Sequence, residues 1–227
     1  MASLEWIFLG PVSYSEALEL QARAARQLAE RGVPQLLLME HPPVVTLGRH
    51  GREESLRLTP QEYDQRGIEL HRVERGGDAT FHGPGQLVGY PIASLRALGR
   101  SVPAWVEGHA DALRRVLSRH GIQAQWSAAY PGLWIGQEKI AAFGFRISRG
   151  VSTHGFALNV DCDLTFFDTI TPCGLDGRGT TSMAGQGIQP PPMGILAAEV
   201  ARELASEFDL EPVTAGESLG AVRFSKA

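Results

Sequence analysis

Cysteine is scarce in this chain. Cys162 and Cys173 are the only two among 227 residues, too few in too long a chain for a disulfide framework. There is no C-x-x-C, and none of the seven histidines pairs at H-x-x-x-H spacing, so zinc has no support and no metal is expected. A Walker A loop and a strand–GxGxxG–helix unit are both missing, which removes the usual nucleotide signatures. No apolar segment approaches the roughly 18 residues that span a bilayer, so no membrane association is expected. The N-terminus carries Glu5 and lacks a basic stretch followed by an apolar run. No signal peptide is therefore expected, and a reducing cytoplasm is the expected compartment. Basic runs with interleaved aromatics are also missing, and the net charge is -4, so nucleic acid is not an expected partner. A modest negative charge still allows a local basic patch to dock an acidic carrier protein.

What is present is a soluble globular composition, 43% hydrophobic and 20% charged. The most unusual stretch is 75–92, which reads RGGDATFHGPGQLVGYPI. Gly76 and Gly77 free the backbone for positive φ and for close approach to a ligand. Gly83-Pro84-Gly85 makes a second tight turn. Between the turns, Thr80, Phe81 and His82 form a short extended run, and 86–92 follows as an apolar strand. Two glycine turns around a histidine suggest a loop shaped around something small. A surface hairpin rich in turn residues is the plain alternative.

The remaining elements follow in order. Ser13-Tyr14-Ser15-Glu16 is a capping box, and a helix through Leu18, Ala22, Ala25 and Leu28 should stop at Gly32. The run 35–40 reads as a buried strand, and 44–47 as another. Thr59-Pro60 opens a short helix that Gly67 ends, and 68–73 reads as an imperfect strand. Ser101 caps a helix with Val102, Trp105, Val106, His109, Ala112, Leu113, Val116 and Leu117 on one face, ending at Gly121. Residues 133–135 and 139–147 form a hairpin around 136–138. A strand over 155–160 follows the turn at 148–150, and 165–171 leads into Pro172-Cys173-Gly174. Leu196, Val200, Leu204 and Phe208 mark a last helix. Strands scattered among helices, without strict alternation, predict an α+β fold: one domain over 1–227 with a mixed, largely antiparallel sheet flanked by helices.

Two residues stand out for chemistry. Pro172 and Gly174 put Cys173 in a turn, where a thiol is presented to solvent or substrate. Only its thiolate attacks well, so something must lower its pKa or take its proton. A buried small hydrophobe is the alternative, and for Cys162 that reading is accepted. Lysine is used sparingly, and Lys139 stands at the start of an apolar strand. Half-buried, it can act as a base or hold a neighbouring thiolate by charge; at a hairpin turn it can equally point to solvent. His109 and His120 lie on a helix and read as structural. His82 and His154 each precede a glycine at a strand edge and are better candidates for a pocket.

Taken together, RGGDATFHGPGQ at 75–86, KIAAFG at 139–144, HGFALN at 154–159 and PCG at 172–174 resemble the lipoyl(octanoyl) transferases, the lipoate-protein ligase B type. EHPP at 40–43 and TLGR at 46–49 fit the same pattern, so the likeness covers about 36–183 in the family's order. The resemblance implies the fold shared by biotin and lipoate ligases. It implies an octanoyltransferase, an acyltransferase that moves octanoyl from octanoyl acyl carrier protein to a lysine of apo lipoyl domains, those of 2-oxoacid dehydrogenases or of the glycine cleavage H protein. It implies the first step of endogenous lipoate synthesis, a monomer, and no cofactor. Cys173 would form the acyl-thioester, with Lys139 lowering its pKa or moving its proton. Arg75, Gly76, Gly77, Asp78, Ala79, Thr80, Phe81, His82, Ala142, Phe143, Gly144, Gly155, Phe156 and Ala157 would line the acyl pocket, with Phe81, Phe143 and Phe156 as its aromatic walls.

Three rivals remain at this stage. An ATP-dependent lipoate or biotin ligase on the same fold would keep Lys139 and dispense with Cys173. A cysteine hydrolase would need His82 or His154 beside the thiol. A carrier-binding module would leave Cys173 inert.

Overall fold

The computed structural model describes residues 2–171 and 178–215. In chain order the elements are β1 (Ser3–Pro11), α1 (Tyr14–Arg31), β2 (Gln35–Glu40), β3 (Val44–Leu47), α2 (Pro60–Gln65), β4 (Glu69–Arg72), β5 (Ala79–His82) and β6 (Gln86–Ile92). They continue with α3 (Val102–Arg119), β7 (Gln125–Ser127), β8 (Gly132–Ile135), β9 (Glu138–Ser148), β10 (Val151–Asn159), β11 (Gly179–Thr180), α4 (Met193–Glu207) and β12 (Glu211–Thr214).

The main sheet runs β12-β1-β2-β6-β10-β9-β8-β7, with β11 beside β9. Pairs β1/β12, β1/β2 and β9/β11 are parallel and the rest antiparallel, the mixed sheet expected from the pattern of strands and helices. The continuous apolar run in β2 follows from burial on both faces. Leu36 and Leu38 turn toward α3 and α4, packing with Leu113, Val116, Leu196 and Val200. Leu37 and Met39 turn the other way, onto Ala17, Leu20, Ala24 and Leu28 of α1. A smaller sheet, β4-β3-β5, has its own core of Val45, Leu47, Tyr63, Ile68 and Phe81.

The local signals act as expected where they are local. Both capping boxes form, Ser13 with Glu16 and Thr59 with Glu62, and Gly32 closes α1 in the left-handed region at φ 68°. Three expectations shift. Strand β10 begins at Val151 and not at 155, because Arg149 (φ 51°) and Gly150 (φ 78°) make a tight two-residue turn that pairs Val151 with Ser148 at once. Val102 is 47% exposed, because it opens α3 and borders a cavity. Strand β1 was not anticipated at all; it is held between β2 and β12, two partners distant in sequence. Among the described residues, no helix is long and apolar enough to cross a membrane.

Candidate active site

The glycine loop is built on Arg75. Its side chain is buried, and among the described residues its hydrogen bonds go to no carboxylate. Nε donates to Thr46 Oγ1 (2.9 Å), Nη1 to the Gly76 carbonyl (2.9 Å), and Nη2 to the carbonyls of Thr46 and Asp78 (2.6 Å each). The guanidinium's fixed fork suits several acceptors at once. Burial works against its charge and lowers its pKa. The main chain completes the loop: Gly48 N–H donates to the Asp78 carbonyl, Arg49 N–H to Arg75, and Gly76 N–H to Phe145 of β9. A Cβ on Gly48 would stand 2.4 Å from the Gly77 carbonyl oxygen, so this crossing requires glycine. The Asp78 carboxylate turns away from Arg75 and accepts from Ser55 Oγ at 2.8 Å.

The second glycine turn is tied down as firmly. Gly85 has φ 78°, its N–H donates to Glu40 Oε1 (2.8 Å), and its carbonyl accepts from the N–H groups of Val160 and Asp161. His82 is then fixed by a buried relay. Its Nδ1 donates to Gln86 Oε1 (2.6 Å), Gln86 Nε2 donates to Asn159 Oδ1 (2.8 Å), and Asn159 Nδ2 to the Thr181 carbonyl (2.9 Å). A neutral ring that donates from Nδ1 leaves Nε2 as an acceptor. Burial holds the ring neutral, its pKa lowered to about 3, with His41, Arg75 and His154 adding repulsion.

A cavity of about 550 Å³ opens in front of this loop, within the range of small-molecule sites. Its wall includes Arg75, Gly76, Gly77, Asp78, Ala79 and Thr80, then Lys139, Ala142, Phe143 and Gly144 of β9, and Ala157 of β10. Val102, Val106, Tyr130 and Phe167 form much of the rest. A smaller chamber of about 50 Å³ adjoins it, sharing Arg75, Thr80, Ala142, Phe143, Gly144 and Ala157 in its walls. His82, Gly155 and Phe156 line the chamber, together with Tyr14, Tyr90 and His154.

Phe81 is the exception among the expected pocket residues. Successive strand residues point to opposite faces, so with Thr80 and His82 toward the cavities, Phe81 turns into the core of the small sheet. There it stacks on Phe166 (4.8 Å between ring centres) and meets Phe167 edge-on (5.6 Å). Phe143 and Phe156 do face the cavities.

Lys139 is half-buried, with Nζ 4.8 Å from the centre of the Trp134 indole. Parallel pairing with Thr180 of β11 flanks it. Cys173 lies outside the described residues. Of the segments on either side, Phe167 and Thr180 both reach the large cavity, and Thr171 is held by its N–H to the Ser55 carbonyl (2.8 Å). Cys162 is buried, as expected, and its thiol is pushed up to about 12 by burial.

Tyr14 and Tyr90 carried no signal in the sequence beyond ordinary core aromatics. His41 joins them: its Nδ1 donates to the Val12 carbonyl (2.7 Å), so its Nε2 accepts from the Tyr90 hydroxyl (2.8 Å). His109 is structural, its Nδ1 donating to the Trp105 carbonyl at 2.6 Å. His120 follows the last turn of α3, with its Nε2 2.8 Å from Glu199 Oε2. Among the described residues, no three His, Cys, Asp or Glu side chains group so as to hold a metal ion.

Comparison with known proteins places this glycine loop, lysine and apolar slot within a known family. Residues 13–208 match the family described as lipoyl protein ligase A/B catalytic domain, and the chain belongs to that family. An octanoyltransferase of Chloroflexus aggregans is 42% identical over 95% of this chain and 99% of its own length. An octanoyltransferase of Solibacter usitatus is 43% identical over 94% and 96%. In fold, the chain resembles a lipoate-protein ligase A crystallised with ATP, with TM-score 0.75 and 17% identity over 97% of this chain and 92% of that one. The biotin protein ligase of Aquifex aeolicus is a more distant likeness, with TM-score 0.52 and 12% identity over 92% and 71%.

Proposed function

We propose that this chain is an octanoyltransferase acting through a covalent relay on Cys173. The donor is octanoyl acyl carrier protein, and the acceptor is a lysine of an apo lipoyl domain, on a 2-oxoacid dehydrogenase or the glycine cleavage H protein. The reaction supplies the first step of lipoate synthesis and takes place in one catalytic domain.

In the first half-reaction the Cys173 thiolate attacks the thioester carbonyl. The carbon–sulfur bond to phosphopantetheine breaks, and the departing thiolate takes a proton. One thioester replaces another, so no ATP is required. In the second, the acceptor's amine attacks the acyl-Cys173 carbonyl and expels the thiolate, giving up a proton on the way. Lys139 is the group assigned to these proton and charge changes. The relay divides a transfer between two bulky proteins into two steps, and each carrier docks in turn.

The observation that carries this reading is the sharing of one 550 Å³ cavity by Lys139 and the Arg75–Thr80 loop. The same wall contains Phe167 and Thr180, which flank the segment bearing Cys173. The apolar wall of Ala142, Phe143 and Ala157 suits an acyl chain.

The test is intact mass after mixing the protein with octanoyl acyl carrier protein, with and without an apo lipoyl domain. An octanoyl adduct on Cys173 that passes to the added domain is expected. Transfer that appears only with ATP and free octanoate, and without an adduct, would overturn the relay in favour of a ligase.

A further inference from the structure

The wall of the small chamber behind the acyl slot is mainly apolar, yet five buried polar side chains reach it. Tyr14, Arg75, His82, Tyr90 and His154 all contribute to its wall, and each is buried, with 1–7% of its surface exposed. The polar groups are closely spaced. The Tyr14 ring lies parallel to His82 with centres 6.2 Å apart, and Tyr90 meets His154 edge-on at 6.4 Å. His82 presents its acceptor nitrogen, because Nδ1 is committed to Gln86. The Nδ1 of His154 is buried without a hydrogen-bond partner among the described residues.

His154 is also held in an unusual backbone state, φ 53° within a strand, with its N–H donating to Gln21 Oε1 at 2.8 Å. Non-glycine residues in this region are uncommon and cluster at functional sites.

Lys139 is in the wall of the large cavity and not in that of the chamber. With the reacting carbonyl at Lys139, the methyl end of the chain therefore points toward the chamber. We infer that the chamber is a water-holding polar stop, and that Tyr14 and His154 set the upper acyl length by the cost of dehydrating them rather than by blocking space. This rests on the acyl-transfer reading above.

The volume allows it. One water needs about 10–15 Å³ of such space and two to four polar partners, and the chamber offers about 50 Å³. The balance also favours it. Each methylene buried is worth about fourfold in affinity, whereas a buried polar atom stripped of its partner costs about 5-fold to 150-fold. A chain that pushes two methylenes into the chamber loses more than it gains.

The test compares octanoyl with decanoyl acyl carrier protein as donors, as a ratio of kcat/KM. Tyr14→Phe keeps the ring on His82 and removes only the oxygen, so the room hardly changes. The decanoyl-to-octanoyl ratio is expected to rise about tenfold, with thermal stability confirming the fold. His154→Gly suits the positive φ and enlarges the space. A steric stop predicts that only His154→Gly raises the ratio and that Tyr14→Phe leaves it unchanged; that result would overturn the proposal. A crystal structure of the substrate-free protein at high resolution provides the second readout. Ordered water in the chamber is expected, and a dry chamber overturns the stop even if transfer proceeds normally. Failure of the wild-type chain to transfer an acyl group from either donor would sink the acyl reading itself, and the stop with it.

Discussion

Lys139 and Trp134 face one another across the β8–β9 hairpin, with the ammonium nitrogen 4.8 Å from the centre of the indole. The Arg178 guanidinium lies 5.3 Å from the same ring and 3.9 Å from that of Tyr130. Ring faces attract cations, so Trp134 and Tyr130 gather two basic side chains, and Tyr130 and Lys139 belong to the cavity wall. In the proposed relay, Lys139 serves the thiol by charge. Lys139→Ala should lower octanoyl transfer by about 10²-fold or more and move the pH curve for alkylation of Cys173 upward. Lys139→Arg should keep the alkylation curve near that of the parent. An alkylation curve that Lys139→Ala does not move would remove Lys139 as the tuning group.

The two cysteines should separate cleanly in the native protein. Burial raises the Cys162 thiol to about 12, and the neighbouring Asp161 and Asp163 add to the effect. At pH 8 an alkylating agent should modify one thiol per chain. Cys162→Ala should leave that stoichiometry unchanged. Cys173→Ala should abolish both labelling and transfer with little change in Tm. Labelling of two thiols, or a large loss of Tm in Cys173→Ala, would contradict a presented Cys173.

Arg75 is both a wall of the cavity and the support of its loop. Arg75→Met would take the guanidinium donors from the carbonyls of Thr46, Gly76 and Asp78, of which Asp78 keeps the Gly48 N–H. A loss of about 3 kcal/mol or more is expected from urea unfolding, with transfer lost as well. Arg75→Lys should restore little, because a single ammonium cannot meet the three carbonyls and the Thr46 hydroxyl as the fork does.

Acid should destabilise the fold through buried histidines. Burial is the first cause in each case, lowering His41 and His154 to about 4 and His82 and His109 to about 3, from 6.5. In the unfolded chain these groups take up protons below pH 6.5, whereas in the folded chain they do not until about pH 4 or lower. The unfolded state therefore binds more protons in that window, and stability falls as pH drops from 6.5 toward 4. Each histidine contributes at most about 1.4 kcal/mol per pH unit. Urea unfolding at pH 5, 6 and 7 should show the decline, and His109→Leu should reduce its slope by one proton. A stability that is flat from pH 7 to pH 5 would contradict neutral buried histidines.

Much of the fold was legible where the physics is short-range. The bond from Ser13 to the Glu16 N–H spans three residues, and so does that from Thr59 to Glu62, so the capping boxes announce themselves. The Arg75 loop was legible for a similar reason. The Arg75 side chain bonds the carbonyls of Gly76 and Asp78, its own neighbours in the loop. Other contacts had no local trace. Gln86 reaches Asn159 across 73 residues, and Gln21 holds the N–H of His154 across 133.

Sequence alone nominated the residues with chemistry to offer: a lysine entering an apolar strand, a cysteine between a proline and a glycine, and a glycine loop able to approach a ligand. Strand alternation requires Thr80 and Phe81 to point to opposite sides, although the family resemblance puts both in the pocket. Which side faces the cavity was decided only by tertiary packing. Phe166 and Phe167 come from a segment more than 80 residues away and cover Phe81, leaving the other face of β5 to the cavities. The polar chamber was decided in the same way. Tyr14, Tyr90 and His154 belong to α1, β6 and β10, and they meet only because α1 packs over the sheet beside β6 and β10. A side chain's neighbours across a fold depend on which elements cover which face, and no local pattern encodes that.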